Sequence, residues 1–250
     1  MTRLIIAVNP TNQDKNPVLG GGSEMAHIAP LAAKLATELS SRPNVVARLF
    51  TATPQSQDTP WGSLAGLRRQ QSSAALWLGA TRHPGDLTVS LNLHSDSGTY
   101  RHTGYYYDSL SGPVSEWLGR AITEAIKGYF GNKVISADYG AAGYIFAEAT
   151  RAVACPLLLE MGAHTMMADV VAVQERYGPE IVATMVGVLV GFFGISTVPI
   201  LNTSELRSYG EWSLARLANG QDSRNREAFR QHLAALGAPD DPYRFGMPNS

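Results

Sequence analysis

The chain has 250 residues, of which 44% are hydrophobic, and its formal net charge is −1. This length is sufficient for one large domain with a substantial core. A net charge so close to zero argues against broad attraction to nucleic acid or to an anionic membrane surface, and we expect neither as a partner. The single cysteine, Cys155, excludes an internal disulfide framework and a cysteine-based zinc site.

Neither a secretory signal nor a membrane span is expected. The apolar run at 4–8 is too short for a signal peptide. The longest apolar stretch, 181–195, is interrupted by glycines and is shorter than the roughly 20 residues that a membrane span needs. We therefore predict a buried helix there. We expect synthesis in the cytoplasm, with any action at a cell wall following release.

The first third of the chain predicts strands alternating with helices. Residues 4–8 are wholly apolar, as in a buried strand, and the run stops at Asn9-Pro10. A polar loop and three glycines follow, and Ser23 is the predicted N-cap of a helix with apolar residues at helical spacing. Residues 45–51 predict a second strand, and residues 64–79 predict a second helix.

A segment with strict alternation follows. From Leu87 to Leu93 apolar side chains occupy the odd positions, and polar side chains occupy the even positions up to His94. Period-two alternation predicts a β-strand with two different faces, and the Ser-Asp-Ser-Gly that follows predicts a loop. His94 would then lie at the carboxyl end of a strand, where α/β proteins usually place their chemistry, which makes it a candidate metal ligand.

The rest of the chain continues the alternation of strands and helices. Tyr105 to Tyr107 suits a strand, often at a sheet edge, and apolar residues from 114 to 129 predict an amphipathic helix. Residues 152–159 predict a buried strand that ends at Glu160, and an apolar helix is predicted near 175–194. This pattern predicts an α/β layered domain over 1–196. Two short charged helices predict a helical C-terminal extension over 197–250.

Three predicted elements place polar side chains where they can converge. Parallel strands bring their carboxyl ends to one edge of a sheet. Three side chains can therefore meet there: Glu24, which follows the first loop, His94 and Glu160. Desolvation after an apolar run would raise the pKa of Glu160 toward the range useful for a general base. Glu24 alone is also explained by the helix dipole, and His94 alone by a hydrogen-bonded loop. A zinc hydrolase needs about three protein ligands, and Glu24 with His94 supplies two.

The ordered segments resemble a known family. Ser-Leu-Asn-Leu-His-Ser-Asp-Ser, Gly-Tyr-Tyr-Tyr and Leu-Leu-Leu-Glu-Met-Gly, over about residues 3–195, are similar to zinc-dependent N-acetylmuramoyl-L-alanine amidases that cut bacterial peptidoglycan. The resemblance implies one zinc ion, held by His94 and Glu24, with Glu160 as the catalytic residue. It also implies a mostly parallel, twisted mixed sheet with helices on both faces, of the phosphorylase/hydrolase-like and zinc-exopeptidase-like kind.

The first loop departs from the family pattern. The family's Asp-Pro-Gly-His corresponds here to Asn9 through Asn12, which contains no imidazole. The loop is closer to a divergent branch with Ser-Pro-Ser-x-Gln-x-x-Asn, matched by Gln13 and Asn16. We therefore expect Gln13 as the third metal ligand, with Asn12 or His27 as substitutes, although an amide oxygen binds zinc more weakly than imidazole does. We expect Asn92, Ser95 and Asp96 to orient His94 or to bind substrate. We expect His164 to border the cleft.

The resemblance implies hydrolysis of the amide between N-acetylmuramic acid and L-alanine, with peptidoglycan or a muropeptide as substrate. Two alternatives stay open at this point. The missing first-loop imidazole favours a catalytically inactive descendant that binds a wall fragment or a protein partner. The lack of a recognisable signal or wall-binding repeat favours a zinc peptidase or amide hydrolase with a substrate outside the cell wall.

Overall fold

The computed structural model describes residues 3–14, 16–19, 21–51, 64–96, 100–139, 149–163 and 170–193. The predicted C-terminal extension and His164 lie outside these residues. The described chain contains ten regular elements in this order: β1 (Leu4–Pro10), α1 (Glu24–Ser40), β2 (Val45–Leu49), α2 (Leu64–Thr81), β3 (Leu87–Asp96), β4 (His102–Tyr107), α3 (Val114–Phe130), β5 (Lys133–Asp138), β6 (Cys155–Ala163) and α4 (Val170–Phe192).

The six strands form one mixed sheet in the order β2-β1-β3-β6-β4-β5. Strands β2, β1, β3 and β6 are parallel, whereas β4 pairs with β6 in the antiparallel sense and β5 runs parallel to β4. The mostly parallel mixed sheet is therefore confirmed. Because β4 runs against β6, its amino end lies at the sheet edge where β1, β3 and β6 have their carboxyl ends.

Helices cover both faces of the sheet, as expected. Alternate residues of β1 divide between the faces because successive side chains of a strand point in opposite directions. Leu4, Ile6 and Val8 join the larger core, to which α1, α3 and α4 contribute. Ile5 and Ala7 join a smaller cluster on the other face, beneath α2.

Three element predictions need correction. The tyrosine strand is not at an edge, since β4 lies between β6 and β5. The strand at that edge of the sheet is β5. Its residues are half-buried or exposed and show no clear apolar alternation, so the sequence does not predict a strand there. Strand β6 begins at Cys155 and continues through Ala163, so Glu160 lies inside the strand rather than after it.

In the part of the chain that the structure describes, no helix combines the length and apolar character needed to cross a bilayer.

Candidate functional site

The first loop is fastened to the start of α1. The backbone amide of Glu24 donates to the carbonyl of Asn16 at 2.9 Å, and that of Met25 donates to the carbonyl of Gln13 at 3.2 Å. The hydroxyl of Ser23, the predicted N-cap, accepts the amide of Ala26 at 3.3 Å. The first amides of a helix have no partner within the helix, so these contacts satisfy them. They also fix the loop directly over Glu24.

Glu24 is fully buried and contacts the imidazole of His94. The Oε1 atom of Glu24 lies 3.3 Å from Nδ1 of His94 and accepts the backbone amide of Ser95 at 3.1 Å. Its Oε2 atom accepts Nδ2 of Asn16 at 2.8 Å. Burial alone would raise the pKa of Glu24, but His94, the Asn16 amide and the Ser95 amide outweigh it and lower the pKa. The structure therefore holds Glu24 as a buried carboxylate.

The Asn16 amide links Gln13 to this pair. The same nitrogen that donates to Glu24 also donates to Oε1 of Gln13 at 3.2 Å. These contacts form one connected polar network of Gln13, Asn16, Glu24 and His94. Within it, the amide oxygen of Gln13 and the carboxylate of Glu24 accept from the same nitrogen. This is the loop position at which the sequence shows no imidazole.

The two substitute ligands lie apart from this network. His27 Nε2 contacts the carbonyl of Gly21 at 2.9 Å, so its ring packs on the glycine turn rather than beside Glu24. Asn12 is buried, and its Nδ2 has no hydrogen-bond acceptor in the described part of the chain. Of these three candidates, Gln13 is joined to Glu24 through the Asn16 side chain, whereas His27 lies in α1 and contacts Gly21.

Glu160 lies on the strand next to His94. The two residues are register partners between β3 and β6, and Gly104 of β4 is the partner of Glu160 on the other side. A Cβ atom at Gly104 would lie 3.0 Å from Cβ of Glu160 and 3.1 Å from Cγ1 of Ile135. The missing side chain at Gly104 therefore provides the space in which the Glu160 side chain lies.

The carboxyl group of Glu160 is poorly solvated. Its Oε2 atom is fully buried and has no hydrogen-bond partner among the described residues. Burial, followed by the negative charges of Glu24 and Asp96, raises the pKa of Glu160 well above its ordinary value. Burial, followed by Glu160, Tyr139 and Asp96, also raises the pKa of Tyr106, the neighbour of Glu160 on this face of the sheet. A carboxyl group with a raised pKa beside a buried carboxylate is suited to accepting and returning a proton near neutral pH.

His102 completes the rim of the site and was not singled out from the sequence. Its Nε2 lies 3.1 Å from Oδ2 of Asp96, and its Nδ1 lies 2.8 Å from the carbonyl of Tyr100. Burial lowers the pKa of His102, but Asp96 and the Tyr100 carbonyl outweigh it and raise the pKa. Only the antiparallel direction of β4 brings this residue to the site edge, and nothing in the local sequence signals that direction.

The other two predicted substrate residues have different surroundings. Ser95 is buried and contributes its backbone amide to Glu24. Asn92 is also buried, and its Oδ1 accepts Nε2 of Gln71 at 2.6 Å while its Nδ2 donates to the carbonyl of Leu157 at 3.3 Å. Asn92 therefore joins α2 to the sheet below His94 and does not line an open surface.

Cys155 lies at the start of β6, the end of the strand opposite Glu160. Burial raises the pKa of its thiol to about 12, which keeps the thiol protonated and unreactive.

The side chains of the site offer few ligands for a divalent cation. Among the described residues no group of three or more His, Cys, Asp or Glu side chains lies close enough to hold a metal. Glu24 and His94 supply one carboxylate and one imidazole in contact, and the network adds the amide oxygen of Gln13. These three donor types fit a divalent cation, with one ligand weaker for zinc than an imidazole.

Comparisons with known proteins match the fold but not the sequence. No protein-family model matches the chain, and no curated protein matches it. The catalytic domain of the N-acetylmuramoyl-L-alanine amidase CwlV from Bacillus (Paenibacillus) polymyxa var. colistinus superposes with a TM-score of 0.54 at 13% identity, covering 78% of this chain and 100% of that one. The N-acetylmuramoyl-L-alanine amidase AmiC2 of Nostoc punctiforme gives 0.52 at 19% identity, covering 75% and 95%.

A third solved structure agrees with these two. The N-acetylmuramoyl-L-alanine amidase from Clostridium difficile 630 has a TM-score of 0.51 at 14% identity and covers 76% of this chain and 96% of that one. At such low identity the likeness concerns the fold, and it spans nearly the whole of each neighbour. The chain therefore has the fold of N-acetylmuramoyl-L-alanine amidases, as its strand-end motifs predicted.

Proposed function

We propose that this protein is a metal-dependent hydrolase that cleaves the amide between N-acetylmuramic acid and L-alanine in peptidoglycan. One observation carries the proposal: Glu160, whose Oε2 is buried without a hydrogen-bond partner among the described residues, is the register partner of the His94 that contacts Glu24. A proton acceptor thus lies beside the two side chains best suited to bind a cation. The fold shared with three N-acetylmuramoyl-L-alanine amidases supports the substrate assignment.

Glu24, His94 and the amide oxygen of Gln13 are the proposed holders of one zinc ion, and Asn16 orients two of them through its hydrogen bonds. When bound, zinc would polarise the amide carbonyl and lower the pKa of a water molecule. The buried Glu24 carboxylate supplies the negative charge that favours a cation at this position.

Glu160 is the proposed general base and then general acid. Its raised pKa lets it take a proton from water as the water oxygen bonds to the amide carbon. It then gives this proton to the amide nitrogen as the carbon–nitrogen bond breaks. The products are the muramic acid carboxylate and the peptide amine, which leaves as an ammonium with the proton released by the new carboxylic acid.

The test is hydrolysis of a purified muropeptide, followed by mass spectrometry. We expect wild-type protein to release the stem peptide, and Glu160→Gln to lower kcat by about 10²- to 10⁴-fold, the usual contribution of a general base. Glu38→Gln, at an exposed position of α1, removes one negative charge away from the site and should retain activity. A chelator should abolish cleavage, and added zinc should restore it. Cleavage that survives both the chelator and Glu160→Gln would refute the mechanism.

An inactive binding protein is the second candidate, and one observation favours it. Among the described residues no cluster of three His, Cys, Asp or Glu side chains is present, so the proposed ion depends on an amide ligand. Zinc content of the purified protein separates the two candidates, because roughly one zinc per chain supports the enzyme. Parallel assays on muropeptides and on simple aminoacyl amides test whether an active enzyme acts on a substrate outside the wall.

A further inference from the structure

A contact between a buried histidine and a partly exposed aspartate crosses the end of the strand that carries Glu160. Asp96 belongs to β3 and His102 to β4, and these two strands flank β6. The 3.1 Å contact between Oδ2 of Asp96 and Nε2 of His102 therefore passes over the carboxyl end of β6. His102 also lies two residues before Gly104, the register partner of Glu160. The pair thus lies at the rim of the proposed active site, just beyond Glu160.

His102 is held in one orientation. It is almost fully buried, and its Nδ1 lies 2.8 Å from the carbonyl of Tyr100, an acceptor that requires a proton on that nitrogen. The ring of Tyr100 packs 5.2 Å from the His102 ring and carries Nζ of Lys133 at 3.7 Å on its face. These contacts hold the ring so that Nε2 of His102 lies 3.1 Å from Oδ2 of Asp96, a charge contact that lacks the angles of a hydrogen bond.

Asp96, like Glu160, is partly exposed to solvent, in contrast to Glu24. Its side chain is 30% exposed, whereas the Glu24 side chain is fully buried. Glu160 has a buried Oε2 atom with no hydrogen-bond partner among the described residues, so it points an unsatisfied acceptor into the same site. The charge of Asp96 is also felt by Glu160 and by Tyr106. A cation formed beside Glu160 therefore has the partly exposed carboxylate of Asp96 on the same rim.

The proposed reaction forms such a cation. When the amide nitrogen takes a proton from Glu160 and the carbon–nitrogen bond breaks, the peptide leaves with a free amino group that is protonated at neutral pH. An ammonium group has three hydrogen-bond donors, and a fixed carboxylate pairs with it through charge-assisted hydrogen bonds.

We propose that Asp96, oriented by His102, is a binding subsite for the ammonium group of the departing peptide. The proposal rests on the proposed amide hydrolysis and adds a specificity-determining residue to it. A purely structural ion pair that closes the end of β6 would give the same geometry. The two roles differ because only a subsite makes binding depend on the charge of the ligand's amino group.

Binding is measured by calorimetry at pH 7 with two ligands, L-alanyl-D-isoglutamine and its N-acetylated form, which lacks the ammonium. We expect wild-type protein to bind the free amine about fivefold more tightly, as for a partly exposed ion pair. Asp96→Asn should remove this difference while leaving the affinity for the acetylated ligand unchanged. His102→Asn should reduce the difference. Glu38→Gln should preserve it, and circular dichroism checks that each variant is folded.

A kinetic experiment separates the subsite from a structural role. We expect Asp96→Asn to lower kcat/KM for a muramyl-L-alanine amide by about fivefold and to leave unchanged kcat/KM for the matched L-lactyl ester, whose leaving alcohol carries no charge. Equal binding of the two ligands by wild-type protein would overturn the subsite, as would an Asp96→Asn variant that still discriminates between them. Charge-dependent binding without muropeptide cleavage would leave the subsite standing and refute the proposed function. Cleavage without charge-dependent binding would refute the subsite alone.

Discussion

The start of α1 and strand β6 each place one carboxyl group in the same site, and their surroundings shift its pKa in opposite directions. Glu24 accepts hydrogen bonds from the Asn16 side chain and the Ser95 amide and pairs with His94, and its pKa is lowered. Glu160 has a buried oxygen without a hydrogen-bond partner in the described part of the chain, and its pKa is raised. The same side-chain type is thus suited to binding a cation in one region and to moving a proton in the other.

The difference comes from the supply of donors. The first loop folds back on the start of α1 and directs an amide side chain at Glu24, while the backbone after His94 supplies a peptide N–H. Strand β6 commits its backbone groups to β3 and β4, and among the described residues no donor reaches the Oε2 atom of Glu160. Pairs of titratable groups whose surroundings push their pKa values apart are a common arrangement for dividing roles between carboxyl groups.

The largest expected effect on stability comes from replacing the satisfied carboxylate. In Glu24→Gln, the donors of Asn16, Ser95 and His94 compete for a single amide oxygen. The new NH2 group of the glutamine also faces these donors, so it gains no acceptor. We expect a loss of about 3 kcal/mol in the free energy of unfolding, because a buried charged hydrogen-bond network is broken on one side. Urea denaturation of the metal-free protein at pH 7 measures this loss.

Glu116→Gln is the matched control for this prediction. Glu116 lies in the first turn of α3, as Glu24 lies in the first turn of α1, and is half-buried. Its replacement removes the favourable interaction with the helix dipole, worth about 0.5 kcal/mol. Equal losses for the two variants would show that Glu24 is stabilised by the dipole alone and would end the contrast with Glu160.

Much of this contrast was accessible from the sequence, for identifiable reasons. Glu24, His94 and Glu160 stand next to strong periodic patterns, and strands in parallel bring such positions to one edge. His102 was not accessible because it begins its strand, and only the antiparallel direction of β4 puts it at that edge. The role of Asn16 depends on two hydrogen bonds within a loop, and loop conformation leaves no periodic signal.

The second prediction concerns the space around Glu160. In Gly104→Ala the new methyl would lie 3.0 Å from Cβ and 3.2 Å from Cγ of Glu160 and 3.1 Å from Ile135, inside normal contact distance. We expect a loss of about 2 kcal/mol in stability from overpacking, together with reduced hydrolysis as Glu160 is displaced. Differential scanning calorimetry and the muropeptide assay measure the two effects.

Gly128→Ala in α3 serves as the control, because a Cβ atom there meets nothing within 4 Å. The substitution should raise stability by up to about 1 kcal/mol through helix propensity. If Gly104→Ala were equally benign, the packing of Glu160 against β4 would not define the position of the proposed base.

The smallest expected effect, counted per pH unit, is the dependence of the free energy of unfolding on pH. The sign of this dependence is opposite for Glu160 and Glu24. A carboxyl whose pKa is raised in the folded state, as for Glu160, keeps its proton while the unfolded chain loses it. Stability then falls as pH rises above the ordinary value of 4.5, by at most about 1.4 kcal/mol per pH unit, until the raised pKa is passed. Glu24, with a lowered pKa, contributes stability that is lost only as pH falls below its ordinary range.

Denaturation of metal-free protein between pH 5 and 8 isolates Glu160 when a variant is compared with wild type, because Glu24 stays ionised throughout and the histidines titrate in both proteins. Glu160→Gln removes the titrating group, keeps its shape and leaves the other titrations in place. The difference in unfolding free energy, variant minus wild type, should increase with pH and make the variant the more stable protein at pH 8. A difference that stays constant with pH would mean that Glu160 titrates normally. The raised pKa, and with it the division of roles between Glu24 and Glu160, would then be wrong.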